Sequence, residues 1–114
     1  MAHAFHHAKS SVKHFGGEVE DYIGIHSWFD ASKVHMADFR HRALRHHTEG
    51  IFEAERQFGI TITNSSGNEV PVRAIGEQHM LEDFGTIPSM IDWFECIEAK
   101  PWMSRSQKLS KESG

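Results

Sequence analysis

Apolar residues recur at helical spacing from the start of the chain, where Phe5, Ala8, Val12 and Phe15 share one face. His3, His7, Ser10 and His14 then fall on the opposite face. The pattern predicts a helix over 2–14, ended by Gly16-Gly17 because glycine suits the position just past a helix C-terminus. EVEDYIGIHSWFD reads as a second short helix with Glu18, Glu20 and Asp21 in its first turn and an apolar cluster of Tyr22, Ile25, Trp28 and Phe29. His26 sits within that cluster, which makes it a hydrogen-bonded core histidine. Asp30 or Ser32 can cap the next helix.

The stretch from Asp30 to Gly59 reads as one long central helix. Ala37, Leu44, Ile51 and Phe58 repeat along one line with Ala54 beside them, a core stripe. His47 and Arg40 lie next to it and are expected to be structural. On the reverse line are His35, Arg42, His46, Glu49 and Glu53. Gly50, inside this helix at a cost of ~1 kcal/mol relative to alanine, suggests close approach by another backbone.

Beyond Gly59, ITIT alternates in strand fashion, NSSGN is a turn cluster and VPV returns, predicting a β-hairpin whose Pro71-bearing strand lies at an edge. Residues 74–84 form a further helix closed by Gly85. Another begins at Thr86-Ile87-Pro88 and offers Met90, Ile91, Trp93, Phe94 and Ile97 to the core. From Met103 the chain is polar and without periodicity, a flexible tail. The expectation is therefore an α+β, mainly α fold: about five helices around one long central helix, with one β-hairpin. The single globular domain is 1–102 and the tail 103–114.

Composition changes this picture in one respect. Ten of the 114 residues are histidine, several times ordinary usage and dispersed rather than run together. The net charge of −4 gives no nucleic-acid signature. One cysteine, Cys96, excludes an internal disulfide and a thiolate-rich zinc site, and it reads as a small core residue. The apolar runs are too short for a signal peptide core or a membrane span, so a cytoplasmic protein is expected.

The reverse line of the Asp30–Gly59 segment carries the candidate chemistry. His46 and Glu49 are three apart and can converge on one point, and His79 and Asp83 form a second pair four apart. Together His35, His46, His79 and Asp83 would supply an imidazole and carboxylate set for a divalent transition metal. Zinc, manganese, iron and nickel all suit such donors. With a metal to activate water, Glu49 or Glu53 would be the general base and Arg42 would stabilise phosphate charge, a metal-dependent hydrolase acting on a phosphate-containing small molecule. His3 and His7 offer another i,i+4 pair, but the N-terminal face of His3, His6, His7 and His14 reads first as solvated. Two alternatives stay open: a protein-interaction factor, such as a phage-encoded inhibitor or a homo-oligomer, and a nucleotide or single-strand binder using Arg40, Arg42 and Arg45. Against polymeric nucleic acid stands the net negative charge.

Taken together, HHAKSSVKHFGG, EDYIGIHSWFD, FRHRALRHHTEGIF, NSSGNEVPVRAIGEQH and EDFGTIPSMIDW resemble a family of short uncharacterised bacterial and phage proteins. The resemblance runs to about Trp102 and implies a compact protein without assigning an activity. RHHTEGIFEAERQFG is also similar to the histidine-bearing helix of HD-type phosphohydrolases, whose His-Asp dipeptide this chain lacks.

Overall fold

A computed structural model describes residues 3–104. Helix α1 (Ala4–Phe15) and helix α2 (Val19–Asp30) pack as a hairpin. The turn between them uses Gly16 and Gly17, both at positive φ (81° and 77°). Glu18 and Asp21 close a capping box at the start of α2, and Asp21 also accepts from the backbone N–H and hydroxyl of Ser65. That carboxylate therefore ties the helix to the hairpin turn.

The expected long helix is broken into separate pieces. After α2 the chain makes a 3-10 turn at Ala31–Val34 and a 3-10 helix at Phe39–Leu44, and only then enters helix α3 (Thr48–Phe58). Local caps make the breaks. Asp38 accepts from Arg40 N ahead of the 3-10 helix, and His47 Nδ1 accepts from Gly50 N at the start of α3. The core stripe survives only in α3, where Ile51 and Ala54 are buried, while Leu44 is 57% exposed. Arg40 is exposed and paired with Asp38, not beside the core.

Strands β1 (Thr61–Thr63) and β2 (Glu69–Pro71) form the antiparallel hairpin, in the register Thr61↔Pro71, Ile62↔Val70 and Thr63↔Glu69. Val70 points inward and the flanking residues face out. Helix α4 (Val72–Phe84) comes directly after β2 and stops at Gly85 in the left-handed conformation. It packs on α3 at Gly76, where an added Cβ would lie 3.0 Å from Ile51 and 3.2 Å from Phe29.

Helix α5 (Met90–Phe94) and a last 3-10 turn (Pro101–Met103) complete the described chain. Ser89 and Asp92 make the capping box that starts α5, one residue after Pro88. The expected core contribution is absent: Ile91, Phe94 and Ile97 are each more than half exposed, and Cys96 is exposed as well. Trp93 and Met90 tie α5 to the body, through Trp93 Nε1 to His46 O at 2.9 Å and Met90 N to Glu49 at 2.8 Å. The architecture is α+β, mainly α. Of the tail assigned to 103–114, residues 105–114 lie outside the described residues.

The interior is unusual in its makeup. Tyr22, Ile25, Phe29, Ile51, Val72, Ile75 and Met80 form an apolar core, yet six histidines (His7, His26, His41, His46, His47 and His79) are buried with them. Buried imidazoles need partners or they cost stability. His41 and His47 bond Ser32, Ala43 and Gly50 locally, and the partners of the other four define the site.

Candidate metal centre

Two helices each present a His-x-x-x-Asp pair toward the interior. Helix α2 carries His26 and Asp30, and α4 carries His79 and Asp83; residues four apart share a helix face. His46 arrives from the turn between the 3-10 helix and α3, its backbone held by Arg42 O at 2.8 Å and by the Trp93 indole.

Four side-chain atoms meet at one point. His46 Nε2 and His79 Nε2 are 3.1 Å apart. Asp30 Oδ1 lies 3.3 Å from each of these nitrogens, and Asp83 Oδ2 lies 3.2 Å from His46 Nε2 and 3.3 Å from His79 Nε2. These are five of the six edges of a four-cornered figure, the sixth lying within 4.8 Å. A regular tetrahedron with edges of about 3.2 Å has its centre about 2.0 Å from each corner, the bond length zinc makes to imidazole nitrogen and carboxylate oxygen. Both imidazoles are fully buried, the Asp83 side chain is 2% exposed and that of Asp30 is 12% exposed.

These short distances are not all hydrogen bonds. Asp83 Oδ2 has no hydrogen-bond partner among the described residues, although two imidazole nitrogens lie close to it. Apart from the His46–His79 pair, whose nitrogens are within hydrogen-bond geometry, the atoms converge on a shared centre. Asp30 Oδ2 is likewise buried and unpartnered. Such an arrangement is poor as a hydrogen-bond network and good as a ligand set.

Charge supports the same assignment. Burial alone would push the Asp83 carboxyl up, but His46, His7 and His79 around it hold it well below the usual carboxylate range. Asp30 is likewise held low, against burial, by His46 and His79. The other Asp83 oxygen, Oδ1, faces His7 Nε2 at 3.2 Å and the Arg42 guanidinium at 3.5 Å. Arg42 is itself held over the rings of Phe39 and Phe84. His7 bonds Glu82 Oε1 through Nδ1 at 2.7 Å; burial opposes its protonation, yet Asp83 and Glu82 raise its pKa above the ordinary value. Three carboxylates (Asp30, Glu82 and Asp83) thus sit among these imidazoles with Arg42 as the permanent cation beside them, a negative charge that a metal ion would offset.

His7, His26 and His79 also lie close together but do not form a second centre. His26 Nδ1 and His79 Nδ1 are 2.9 Å apart with ring centroids at 5.1 Å and planes 21° apart, the geometry of an edge-to-edge N–H···N bond. His7 stacks on His79 at 3.9 Å. Lone pairs lie in the ring planes, so stacked rings do not point theirs at one ion.

A family model described as a domain of unknown function (DUF6915) matches residues 2–103. The chain belongs to the DUF6915 family. No curated protein matches it, and no solved structure matches it. The centre in this DUF6915 chain therefore stands on its own geometry.

Of the residues expected from sequence, the fold brings together His46, His79 and Asp83, with Arg42 behind Asp83. His35 is exposed and outside the group. Glu49 instead bonds Thr48 and the α5 N-terminus, and Glu53 pairs with Arg56 on the surface. The three arginines of the nucleotide alternative point to different partners: Arg40 to Asp38, Arg42 to Asp83, and Arg45 to Trp28, whose carbonyl accepts from it at 2.5 Å. Sequence reasoning missed Asp30 and His7, whereas His26 is the hydrogen-bonded core histidine that was expected. Asp30 reads as a cap and His7 as part of a solvated face, but the repeated His-x-x-x-Asp spacing at 26–30 and 79–83 was a usable signal.

Proposed function

We propose that this protein binds one divalent transition metal ion through Asp30, His46, His79 and Asp83. The observation that carries the proposal is the convergence of two imidazole nitrogens and two carboxylate oxygens, five of whose mutual distances lie between 3.1 and 3.3 Å. Zinc fits the tetrahedral reading directly, and manganese, iron and nickel also accept mixed nitrogen and oxygen donors. Metal content of the untagged protein, before and after chelation, tests it. Near-stoichiometric metal in the wild type, lost in His46→Ala and Asp83→Ala but kept in His35→Ala, is the expected result. A wild type that takes up no zinc, manganese, iron or nickel refutes the proposal.

Metal-assisted hydrolysis of a phosphate-containing substrate is the activity that this donor set would serve. Its support is positional. Asp30 is the most exposed of the four ligands, and Arg42 brings a guanidinium to the outer side of Asp83. Glu49 and Glu53, the general bases expected from sequence, lie outside the group.

A second reading, docking to a protein partner, rests on α5. One side of this short helix holds the body through Trp93, while Ile91, Phe94, Ile97 and Trp102 are exposed. A helix apolar on both sides is normally covered. The two readings are compatible, because Trp93 bonds the backbone of His46. No helix among the described residues is long and apolar enough to cross a membrane.

A further inference from the structure

His79 can offer a lone pair at Nε2 only if its proton is on Nδ1, and the buried hydrogen bonds around it decide the matter. Ser11 Oγ has one hydrogen and two acceptors within reach, His7 O at 3.1 Å and Gln78 Oε1 at 2.5 Å. Its third neighbour, His26 Nε2 at 2.8 Å, must therefore be the donor. A neutral His26 protonated at Nε2 has its lone pair on Nδ1. That atom lies 2.9 Å from His79 Nδ1, so His79 donates there and its own lone pair is on Nε2, facing Asp30, His46 and Asp83. Full burial of His26 disfavours a second proton on its ring.

The outer end of the chain is equally determined. Gln78 accepts from Ser11 through Oε1, so its Nε2 is the donor to His7 O at 2.9 Å and to the Glu82 carboxylate at 3.1 Å. Glu82 also accepts from the Ser10 hydroxyl and is anchored at the partly open edge of the molecule. Every donor and acceptor along His79, His26, Ser11, Gln78 and Glu82 has one consistent direction.

We propose that His26 is the positioning residue of the centre: backed by Ser11, Gln78 and Glu82, it fixes the His79 tautomer that leaves Nε2 free to bind a metal. This rests on the metal-binding reading, and its own content is the tautomer. Outer hydrogen bonds of this kind orient metal-bound histidines, and their loss typically weakens binding by ~10–100-fold.

The test uses the full chain labelled with nitrogen-15 in its histidines. In the metal-free wild type, imidazole spectra should show His79 protonated at Nδ1 and His26 at Nε2. Competition titration with zinc should give ~10–100-fold weaker binding for His26→Leu, while His26→Asn, which keeps an acceptor near the Nδ1 position, recovers most of it. Ser11→Ala, which removes the acceptor behind His26 together with the donor to Gln78, should weaken zinc binding in the same direction by a smaller factor and serves if His26→Leu fails to fold. Finding His79 protonated at Nε2 in the metal-free wild type overturns the inference. So does zinc affinity within twofold of wild type in folded His26→Leu, or in Ser11→Ala where the leucine variant does not fold. A wild type that binds no zinc yet shows the expected tautomers sinks the metal-binding reading alone.

Discussion

Gly50 links the fold to the candidate metal centre, and replacing it gives a prediction whose sign is opposite to the usual one. In a helix, glycine to alanine ordinarily stabilises by ~1 kcal/mol. At position 50 the new Cβ would lie 1.8 Å from the carbonyl oxygen of Arg45, 2.6 Å from its carbonyl carbon and 2.9 Å from its Cα. Those atoms are backbone, so no rotamer change relieves the overlap, and the segment must move by about 1.2 Å to reach the 3.0 Å that Cβ atoms respect. Overpacking of this kind costs ~1–3 kcal/mol or more; a backbone overlap this deep belongs at the upper end, which after the propensity gain leaves Gly50→Ala about 2 kcal/mol less stable. For a domain of this size that is a fall in Tm of roughly 8–16 °C. Gly24 supplies the control. It lies within α2 with nothing inside 4 Å of an added Cβ, so Gly24→Ala should be stabilising by ~0.5–1 kcal/mol. Thermal melts by circular dichroism read both. Because Arg45 immediately precedes His46, Gly50→Ala should also weaken zinc binding, whereas Gly24→Ala should not. A Gly50→Ala melt at or above the wild-type temperature would refute the packing argument.

Other consequences can be checked with single variants. Glu53→Ala should leave metal content at the wild-type level, since Glu53 pairs with Arg56 outside the ligand group; loss of metal there would relocate the site. Asp21 is held below its ordinary pKa by the backbone N–H groups of Glu18 and Ser65. Its stabilising contribution is therefore present above the unfolded carboxyl range and lost as pH falls through the lower folded value. Asp21→Asn should melt below wild type at pH 7 and converge with it in acid, and a gap that persists unchanged to low pH would contradict this. Phe94→Glu should leave folding and metal content intact while abolishing any self-association seen by light scattering; if wild type is monomeric and captures no partner through this face, the docking reading fails.

The parts of the fold that were legible in sequence are those where one local rule acts alone. Gly16-Gly17, Gly59 and Gly85 each end a helix as expected, and the Asn64–Asn68 turn sits between the paired strands. Gly50 marked a close approach that the Arg45 carbonyl now explains. The expected long helix failed because helical periodicity does not register a cap inside an apolar-poor segment. Phe39–Leu44 keeps helical spacing but is wound as 3-10, and His47 uses its ring, not a hydroxyl or carboxylate, to start α3. His46, His79 and Asp83 were legible because spacing of three or four residues is visible along the chain. His7 was not, since the apolar face of α1 was assigned by periodicity, whereas in the fold His7 is 1% exposed and Phe5 is 50% exposed. What buries His7 is Glu82 and Asp83, carboxylates more than seventy positions away, and no local pattern encodes that.

The four proposed ligands are not equivalent, and their inequality separates a purely structural ion from one that could handle substrate. Asp83 is braced on its outer oxygen by His7 and Arg42, and His79 is held through His26. His46 is fixed by its backbone on both sides. Asp30 has no such brace: its Oδ2 is unpartnered among the described residues, it ends its helix, and it is the most exposed of the four. It is the ligand able to yield to water. Catalytic zinc sites hold the ion with three protein ligands and leave the fourth position to water or substrate. Asp30→Ala should therefore retain metal, more weakly, on His46, His79 and Asp83, whereas Asp83→Ala should lose it. Cobalt substitution would read the difference: both wild type and Asp30→Ala should show the strong visible bands of a four-coordinate ion, with those of Asp30→Ala shifting when an anion or a phosphate ester is added. Equal loss of metal in Asp30→Ala and Asp83→Ala would mean that all four ligands are required. The centre would then be structural, and the hydrolytic reading would fall.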